Sequence, residues 1–200
     1  HLDSPLRAHA LRNPDLADAL RDASRMGLAE IVDQACALQV DAVLLAGDVF
    51  DSAVADLTTR AALAAACGRL SRAQIPVVMI RGNHDALLDL ARFGPLADNV
   101  FLLEEGRPTV TIGQAAFHGL SFSDKHIHQS LLPRYPMPDP GRINVGLMHT
   151  SLDGAAGHDP YAPYATSDLL AHGYDYWALG HIHARFERRS DSAVAVSITS

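Results

Sequence analysis

The stretch DAVLLAGDVFD at residues 41–51 has the pattern that decides the fold. Its apolar part, residues 41–46, is a short run that ends at a Gly, which predicts a strand buried on both faces. A second stretch, IPVVMIRGNHD at residues 75–85, repeats this order of an apolar run followed by polar residues. The Ala-rich segment 56–70 between them has helical character. The order strand, helix, strand therefore predicts a layered α/β fold.

The regions on either side extend this prediction. Apolar residues recur at helical spacing through 14–38, which predicts one or two amphipathic helices before the first strand. Beyond Asp98 the pattern changes to short strands separated by Gly and Pro turns, and we expect these to form a second stack of strands. The later predicted elements are strands at 100–103, 109–112, 115–120, 144–148 and 174–179, a helix at 167–171, and a Pro-containing loop at 124–142.

Length and composition indicate one soluble globular domain over residues 1–200. The chain is 48% hydrophobic and 20% charged, and no apolar run is long enough to span a bilayer, so we expect no membrane association. The two cysteines are too few for a disulfide framework or a thiolate metal cluster, which fits a cytoplasmic protein. The chain starts at His1 without a Met, and we expect it to be truncated at both ends.

The charge balance argues against binding nucleic acid by charge alone. Sixteen Lys and Arg against twenty-three Asp and Glu give a net charge of −7, so the broad basic surface of many nucleic-acid-binding proteins is absent. Binding to DNA would need a local positive surface. The eleven His are more informative, because neutral imidazole is a common metal ligand.

Polar residues follow four of the predicted strands, at the point where each strand ends. The stretches are GDVFD (47–51), GNHD (82–85), MHT (148–150) and GHIH (180–183). A single His there is more often structural, and a lone Asp after Gly is more often a turn residue or a helix cap. Four such placements at strand ends, which converge on one crevice in α/β folds, indicate a functional site. Carboxylate, imidazole and amide ligands without thiolate suit Mn, Fe, Zn or Mg, and paired cations of this kind favour phosphate ester cleavage.

These stretches, with HLDSPL at residues 1–6, resemble the motifs of the calcineurin-like metallophosphoesterase superfamily: D-x-H, GD-x-x-D, GNH-D/E, H and GH-x-H. The resemblance runs from His1 to His183 and implies a four-layer sandwich of two mixed β-sheets flanked by helices. Four further stretches look like the SbcD-type branch of DNA repair exonucleases: HGLSF (118–122), HTSLDG (149–154), HDPYAP (158–163) and YDYWALGHIH (174–183).

The resemblance implies a centre with two divalent metal ions, with Mn expected first and Fe, Zn or Mg as alternatives. Each ligand matches a motif position: His1 and His183 for the first metal, Asn83, His149 and His181 for the second, and Asp48 as the bridge. The Asp that the family has two residues before His1 is not in this sequence, so the first metal lacks one ligand here.

Three further residues have implied roles around these metals. His84 matches the imidazole that acts as general acid or orients the phosphate, a role for which an ordinary imidazole pKa is suited. Asp51 and Asp85 are expected to orient imidazoles or loops rather than to bind metal directly.

Other candidates have a structural alternative beside the functional one. His118, at a strand end, has a structural or a substrate-side role. Tyr161 and Tyr164, in a Pro-containing loop, could stack on unpaired bases or serve only in packing. Arg185, with Arg188 and Arg189, could hold a DNA phosphate, or could mark an edge strand whose charges prevent sheet pairing.

The sequence thus predicts a two-metal phosphodiesterase acting on DNA, a subunit of a DNA repair exonuclease. By analogy with the branch, a coiled-coil ATPase subunit of the SMC type and a homodimer are expected as partners besides DNA. One rival function is hydrolysis of small phosphoesters or cyclic nucleotides by the same fold. The other is a scaffold that has lost catalysis, which the six intact metal-site residues argue against.

Overall fold

The computed structural model describes residues 2, 14–51, 57–89, 97–125, 127, 129–151, 165–182 and 185–197, with the side chains of 14–22 and 197 left out. Within these residues the strands form two sheets, one with three strands and one with six. Helices accompany both sheets, which confirms the predicted α/β class. No helix in the described part of the chain has the length and apolar character needed to cross a membrane.

The first sheet is parallel throughout its described strands. Its order is β1 (Val43–Ala46), β2 (Val77–Ile80) and β3 (Val100–Leu102). Two helices belong to this half, α1 (Pro14–Leu38) and α2 (Leu57–Arg72).

The structure corrects two expectations about this sheet. The strand predicted at 100–103 does not join the second stack but lies beside β2, and the described strands of this first sheet are all parallel, where a mixed sheet was expected. The backbone explains the pairing, because Val77 N–H donates to Asn99 O and Leu103 N–H donates to Met79 O. The segment from residue 81 to residue 99 is long enough for the crossover that a parallel neighbour requires.

The second sheet is mixed, as expected. Its central strands β5 (Ala115–Gly119), β6 (Ile143–His149), β7 (Tyr176–Gly180) and β9 (Val194–Ser197) run parallel. Antiparallel strands form both edges, β4 (Thr109–Ile112) beside β5 and β8 (Phe186–Arg189) beside β9. A short helix, α3 (Thr166–Ala171), and a single 3-10 turn (Leu132–Arg134) complete the described elements.

Three hydrophobic clusters separate four layers. One cluster joins α1 and α2 to the first sheet, the second fills the space between the sheets, and the third covers the far side of the second sheet, where α3 lies. Strand β2 shows why both of its faces are apolar: Val77 packs toward the helices and Val78 toward the second sheet. In β6, Leu147 faces the first sheet and Met148 faces the α3 side.

The registers bring the carboxyl ends of four strands to one edge of the molecule. Ala46 of β1 lies opposite Ile80 of β2, and His149 of β6 lies opposite Gly180 of β7. Because the two sheets pack face to face, the loops that follow these strands meet. This is the place where the sequence has its polar stretches.

Candidate metal centre

Three ligand-bearing side chains converge where the two sheets meet. Asp48 follows β1, His149 ends β6 and His181 follows β7, and one potential ligand atom from each lies within 4.8 Å of the others. His149 is buried, while Asp48 and His181 are partly buried. A carboxylate and two imidazoles at this spacing could hold one divalent cation of the kind that prefers nitrogen and oxygen ligands.

The orientation of the His149 ring fits metal binding. Its Nδ1 lies 2.9 Å from the carbonyl oxygen of Ala46, which can only accept, so Nδ1 has the proton. Its Nε2 lies 3.0 Å from Asn83 Oδ1 and 3.1 Å from Asp48 Oδ2. Metal-ligating histidines usually donate their other ring N–H to a carbonyl or carboxylate in this way. Both neighbours of Nε2 are among the predicted ligands, Asn83 for the second metal and Asp48 as the bridge.

Asp48 is held as a carboxylate. Burial alone would raise its pKa, but the interaction with the His149 imidazole and the hydrogen bond from the backbone N–H of His84, 2.9 Å from Asp48 Oδ1, outweigh burial and lower the pKa. Asp48 and His181 both have positive φ angles, +55° and +90°. Such backbone costs about 1–3 kcal/mol per residue and persists where the surrounding structure enforces it, often at functional sites.

Two glycines allow the close approach that builds the centre. A Cβ on Gly82 would lie 2.3 Å from Asp48 Oδ1, and one on Gly180 would lie 2.0 Å from the carbonyl oxygen of Ala46. Neither distance is compatible with a side chain. Glycine is therefore required where the loops after β1 and β2 meet and where β7 meets β1.

The carboxylate of Asp85 ties the loops after β1 and β2 together. Its Oδ1 accepts from Gly82 N–H at 2.7 Å, its Oδ2 accepts from Val49 N–H at 2.8 Å, and the N–H groups of Asp48 and Phe50 both lie at 3.3 Å. Burial and the neighbouring charge of Asp48 raise the pKa of Asp85 more than the backbone donors lower it. Asp85 thus has the loop-orienting geometry expected from the sequence.

His84 and Asp51 form a pair at the solvent side of the centre. His84 Nδ1 lies 2.7 Å from Asp51 Oδ1, and the His84 side chain is 41% exposed. The other ring nitrogen, Nε2, is the one that does not face Asp51. A carboxylate that holds one nitrogen of an imidazole can orient the ring, and the proton-donor role of His84 stays a prediction.

Several predicted site residues lie outside the described residues, so their positions are not part of this structure. They are His1, His183, Tyr161 and Tyr164. Arg185 is described and exposed, and it immediately precedes the edge strand β8. On that strand Arg189 pairs with Glu187, and Arg188 lies over the ring of Phe186 at 5.7 Å.

His118 is a buried hydrogen-bonding residue. It is 1% exposed, its Nδ1 lies 2.9 Å from Thr109 Oγ1, and its Nε2 lies 3.1 Å from Asn144 Oδ1. The ring also stacks on Tyr174, with centroids 4.6 Å apart. Of the two roles considered from the sequence, this geometry fits the structural one.

The site includes contacts that the sequence analysis did not assign. The ring of Phe122 packs edge-on against His149, with centroids 5.5 Å apart. Ser121 bonds to the residue that precedes Gly82. Both residues belong to the HGLSF stretch, whose resemblance to the SbcD-type branch was the sequence signal for a role near the site. The carbonyl of Ala46 left no such signal, because a backbone acceptor is the same in every residue.

Comparisons with known proteins agree with this geometry. A family profile for calcineurin-like phosphoesterases matches residues 14–185. The uncharacterized metallophosphoesterase YhaO of Bacillus subtilis is 32% identical over 193 residues, covering 92% of this chain and 47% of YhaO. The DNA double-strand break repair protein Mre11 of Sulfurisphaera tokodaii is 26% identical over 166 residues, covering 78% of this chain and 42% of that protein. The chain therefore spans less than half the length of these two curated relatives.

The fold also resembles a solved structure. The crystal structure of TT1561 of Thermus thermophilus aligns with a TM-score of 0.54 at 15% identity, covering 89% of this chain and 84% of that one. At this level of identity the likeness concerns the fold alone.

Proposed function

This chain belongs to the calcineurin-like phosphoesterase family, and we propose that it is a metal-dependent phosphodiesterase that acts on DNA, within the SbcD-type exonuclease branch. The observation that carries the chemistry is the convergence of Asp48, His149 and His181 within 4.8 Å, beside the His84–Asp51 pair. Metal ligands and a proton donor side by side are what hydrolysis of a phosphate ester needs.

The family generally binds two divalent metal ions, and the described residues fit at least one of them. Asp48, Asn83, His149 and His181 would hold it, and His1 and His183 would complete the pair. Such ions, when bound, polarise the phosphoryl group and lower the pKa of water. Oxygen and imidazole ligands suit Mn²⁺, which is the ion we propose, with Fe, Zn and Mg as alternatives.

The side chains of the centre prepare this chemistry. His149 is fixed by its proton on Nδ1, so its Nε2 lone pair points at the cluster. His84, with Nδ1 held by Asp51, offers Nε2–H to the leaving oxygen of the substrate. Protonation of that oxygen matters most when the leaving group is a poor one, such as a deoxyribose alkoxide.

The proposal that DNA is the substrate rests on similarity to other proteins and not on the geometry of the metal centre. The relative from Sulfurisphaera is named a DNA double-strand break repair protein, and the HGLSF and YDYWALGHIH stretches resemble the same branch. Because the net charge is −7, contact with DNA needs local cations or another subunit. We propose Arg185, Tyr161 and Tyr164 for local contacts, a homodimer, and a coiled-coil ATPase subunit as a source of further positive surface.

Small phosphodiesters are the second candidate substrate, and the charge favours them. Across the described residues, Arg189 is paired with Glu187 and Arg134 with Glu105, so these cations are already partly neutralised. A mononucleotide-sized diester would not need an extended basic surface.

The test is Mn²⁺-dependent cleavage of end-labelled single-stranded and double-stranded DNA by the full-length protein, with bis-p-nitrophenyl phosphate alongside. The variant is His84→Ala. The matched control is His172→Gln, a partly buried histidine that precedes β7 and so lies at the opposite end of the sheet from the centre. We expect DNA shortening that is lost with His84→Ala and kept with His172→Gln. Turnover of the small diester without DNA cleavage would overturn DNA as the substrate and leave the phosphodiesterase intact.

A further inference from the structure

The hydroxyl of Ser121 links the two sheets directly beside the metal centre. It accepts a hydrogen bond from the backbone N–H of Arg81 at 2.9 Å and donates one to the carbonyl oxygen of Leu103 at 2.6 Å. Arg81 is the first residue after β2, and Leu103 is the first residue after β3. Ser121 comes after β5 of the second sheet, so one side chain joins the ends of three strands.

We propose that Ser121 is a positioning residue for the metal centre, acting through Arg81 on Asn83 and His84. This inference rests on the proposed metal-dependent function. Ser121 holds the backbone N–H of Arg81, the residue directly before the turn that begins at Gly82. The position of that peptide sets where the Asn83 amide and the His84 imidazole point.

Arg81 is held by its backbone and by both terminal nitrogens of its guanidinium, which makes it a fixed base for the turn. Its carbonyl accepts from Phe122 N–H at 3.1 Å, and its guanidinium pairs with Glu104 at 3.0 Å. The same guanidinium reaches the carbonyl of Leu88 at 3.4 Å, beyond the far end of the turn. The turn is therefore anchored before Gly82 and after Asp85 by one residue.

The same segment also holds a ligand of the second sheet. Phe122, next to Ser121, packs its ring against His149, whose Nε2 lies 3.0 Å from Asn83 Oδ1. Ser121 and Phe122 thus fix the Asn83 loop and the His149 ring relative to each other. Groups that support metal ligands in this way usually change metal affinity when they are replaced.

Loss of the Ser121 hydroxyl affects Arg81, which leads into the metal centre, more than it affects Leu103. In Ser121→Ala the carbonyl of Leu103 still accepts from the backbone N–H of residue 121, at 3.1 Å in the present structure. The N–H of Arg81 loses its side-chain acceptor. A donor left unsatisfied drives local rearrangement, and that rearrangement falls on the residue before Gly82.

The test measures Mn²⁺ affinity of the full-length protein by calorimetry, at a temperature where every variant is folded by circular dichroism. We expect Ser121→Ala to bind Mn²⁺ about 10-fold more weakly than the wild type, the lower end of the effect of losing such a support. Ser121→Thr, which keeps the hydroxyl, should recover most of the affinity. The matched control is Tyr174→Phe, which removes another hydroxyl that donates to a carbonyl at 2.6 Å, that of Pro136, far from the centre.

Unchanged affinity in Ser121→Ala, or an equal loss in Tyr174→Phe, would overturn the proposal. If Ser121→Ala does not fold, Ser121→Cys decides, because the thiol is close in shape to the hydroxyl but is a much weaker hydrogen-bond acceptor for the Arg81 N–H. Wild-type affinity in that variant would overturn the proposal too. A wild-type protein that binds no Mn²⁺ would overturn the proposed metal-dependent function itself. Equal Mn²⁺ binding by the wild type and Ser121→Ala would overturn only the role of Ser121.

Discussion

The Nδ1–H of His149 donates to the carbonyl oxygen of Ala46, 2.9 Å away and 103 residues earlier in the chain. This bond crosses from the second sheet to the first at the level of the metal centre. It fixes both the tautomer and the direction of the ring. The separation of the two sheets at this point is therefore part of the site, and anything that widens it should affect metal binding.

Gly180→Ala tests this dependence on sheet separation. The new Cβ would lie 2.0 Å from the Ala46 oxygen and 2.9 Å from His149 Nδ1, so the backbone must move. We expect a loss of stability near the upper end of the roughly 1–3 kcal/mol typical of overpacking, together with weaker Mn²⁺ binding. Urea unfolding and calorimetry measure the two effects. Gly106→Ala is the control, because its Cβ would meet no atom within 4 Å; equal stability of the two variants would contradict the prediction.

Asp85→Asn tests the junction of the two loops. Both carboxylate oxygens face backbone N–H donors, so the amide group must turn one N–H toward another donor. We expect destabilisation by about 2–3 kcal/mol, the scale of hydrogen bonds to a charged group, measured by urea unfolding. Asp191→Asn makes the same change at an exposed turn between β8 and β9 and should change stability little. If Asp85→Asn left the unfolding free energy unchanged, the cost of burying the carboxylate, and not its hydrogen bonds, would dominate the contribution of Asp85 to stability.

His84 should matter more for poor leaving groups than for good ones. If His84 protonates the leaving oxygen, His84→Ala should lower DNA cleavage by about 10²- to 10⁴-fold. It should lower hydrolysis of bis-p-nitrophenyl phosphate much less, because nitrophenolate leaves without a proton. Asp51→Asn should show the same asymmetry to a smaller degree, since Asp51 would act on the leaving oxygen through His84, whose Nδ1 it holds. Steady-state rates on both substrates give the ratio; equal losses would assign His84 to binding the phosphate.

The placement of the candidate ligands could be predicted from the sequence because each follows an apolar run. Asp48, Asn83 and His181 follow apolar strands and His149 ends one, and parallel strands present such residues at one edge. This pattern can be recognised in the sequence without knowing the order of the strands in the sheet. The α/β class followed from the same apolar runs, whereas the mixed character of the second sheet was implied by the resemblance to the family.

Strand pairing and backbone partners could not be predicted in this way. The strand at Val100–Leu102 is as short as the strands of the second sheet, and only its hydrogen bonds with β2 assign it to the first. Four backbone N–H groups donate to the Asp85 carboxylate, and a backbone carbonyl accepts from His149. Every residue has such a carbonyl and nearly every residue such an N–H, so the sequence does not show which of them take part. Distant contacts between backbone and side chains are set by the packing of the sheets, and a single sequence does not encode them locally.

His118 should make stability depend on pH. Burial lowers its pKa more than the hydrogen bond with Asn144 and the charge of Asp139 raise it, and His172 lowers it further. The folded state thus favours the neutral ring, whose Nδ1 accepts from Thr109. The associated stability is present above the unfolded pKa of about 6.5 and is lost as the pH falls from there toward the lower folded pKa. Urea unfolding from pH 8 to pH 5 should show this loss in the wild type and less of it in His118→Gln; parallel profiles would contradict it.

Metal binding should stabilise the folded protein by linkage. The candidate ligands are far apart in the chain, at Asp48, Asn83, His149 and His181, so the unfolded chain has no assembled site. Free Mn²⁺ at 100 times its Kd should then raise the unfolding free energy by about 2.7 kcal/mol over the EDTA-treated protein. His181→Asn removes one imidazole at a position with φ of +90°, where Asn is better tolerated than most residues. This variant should keep its stability in EDTA but gain much less from the same Mn²⁺ concentration, measured by thermal unfolding at fixed protein concentration. An equal gain in both proteins would place the Mn²⁺ site elsewhere and remove His181 from the centre.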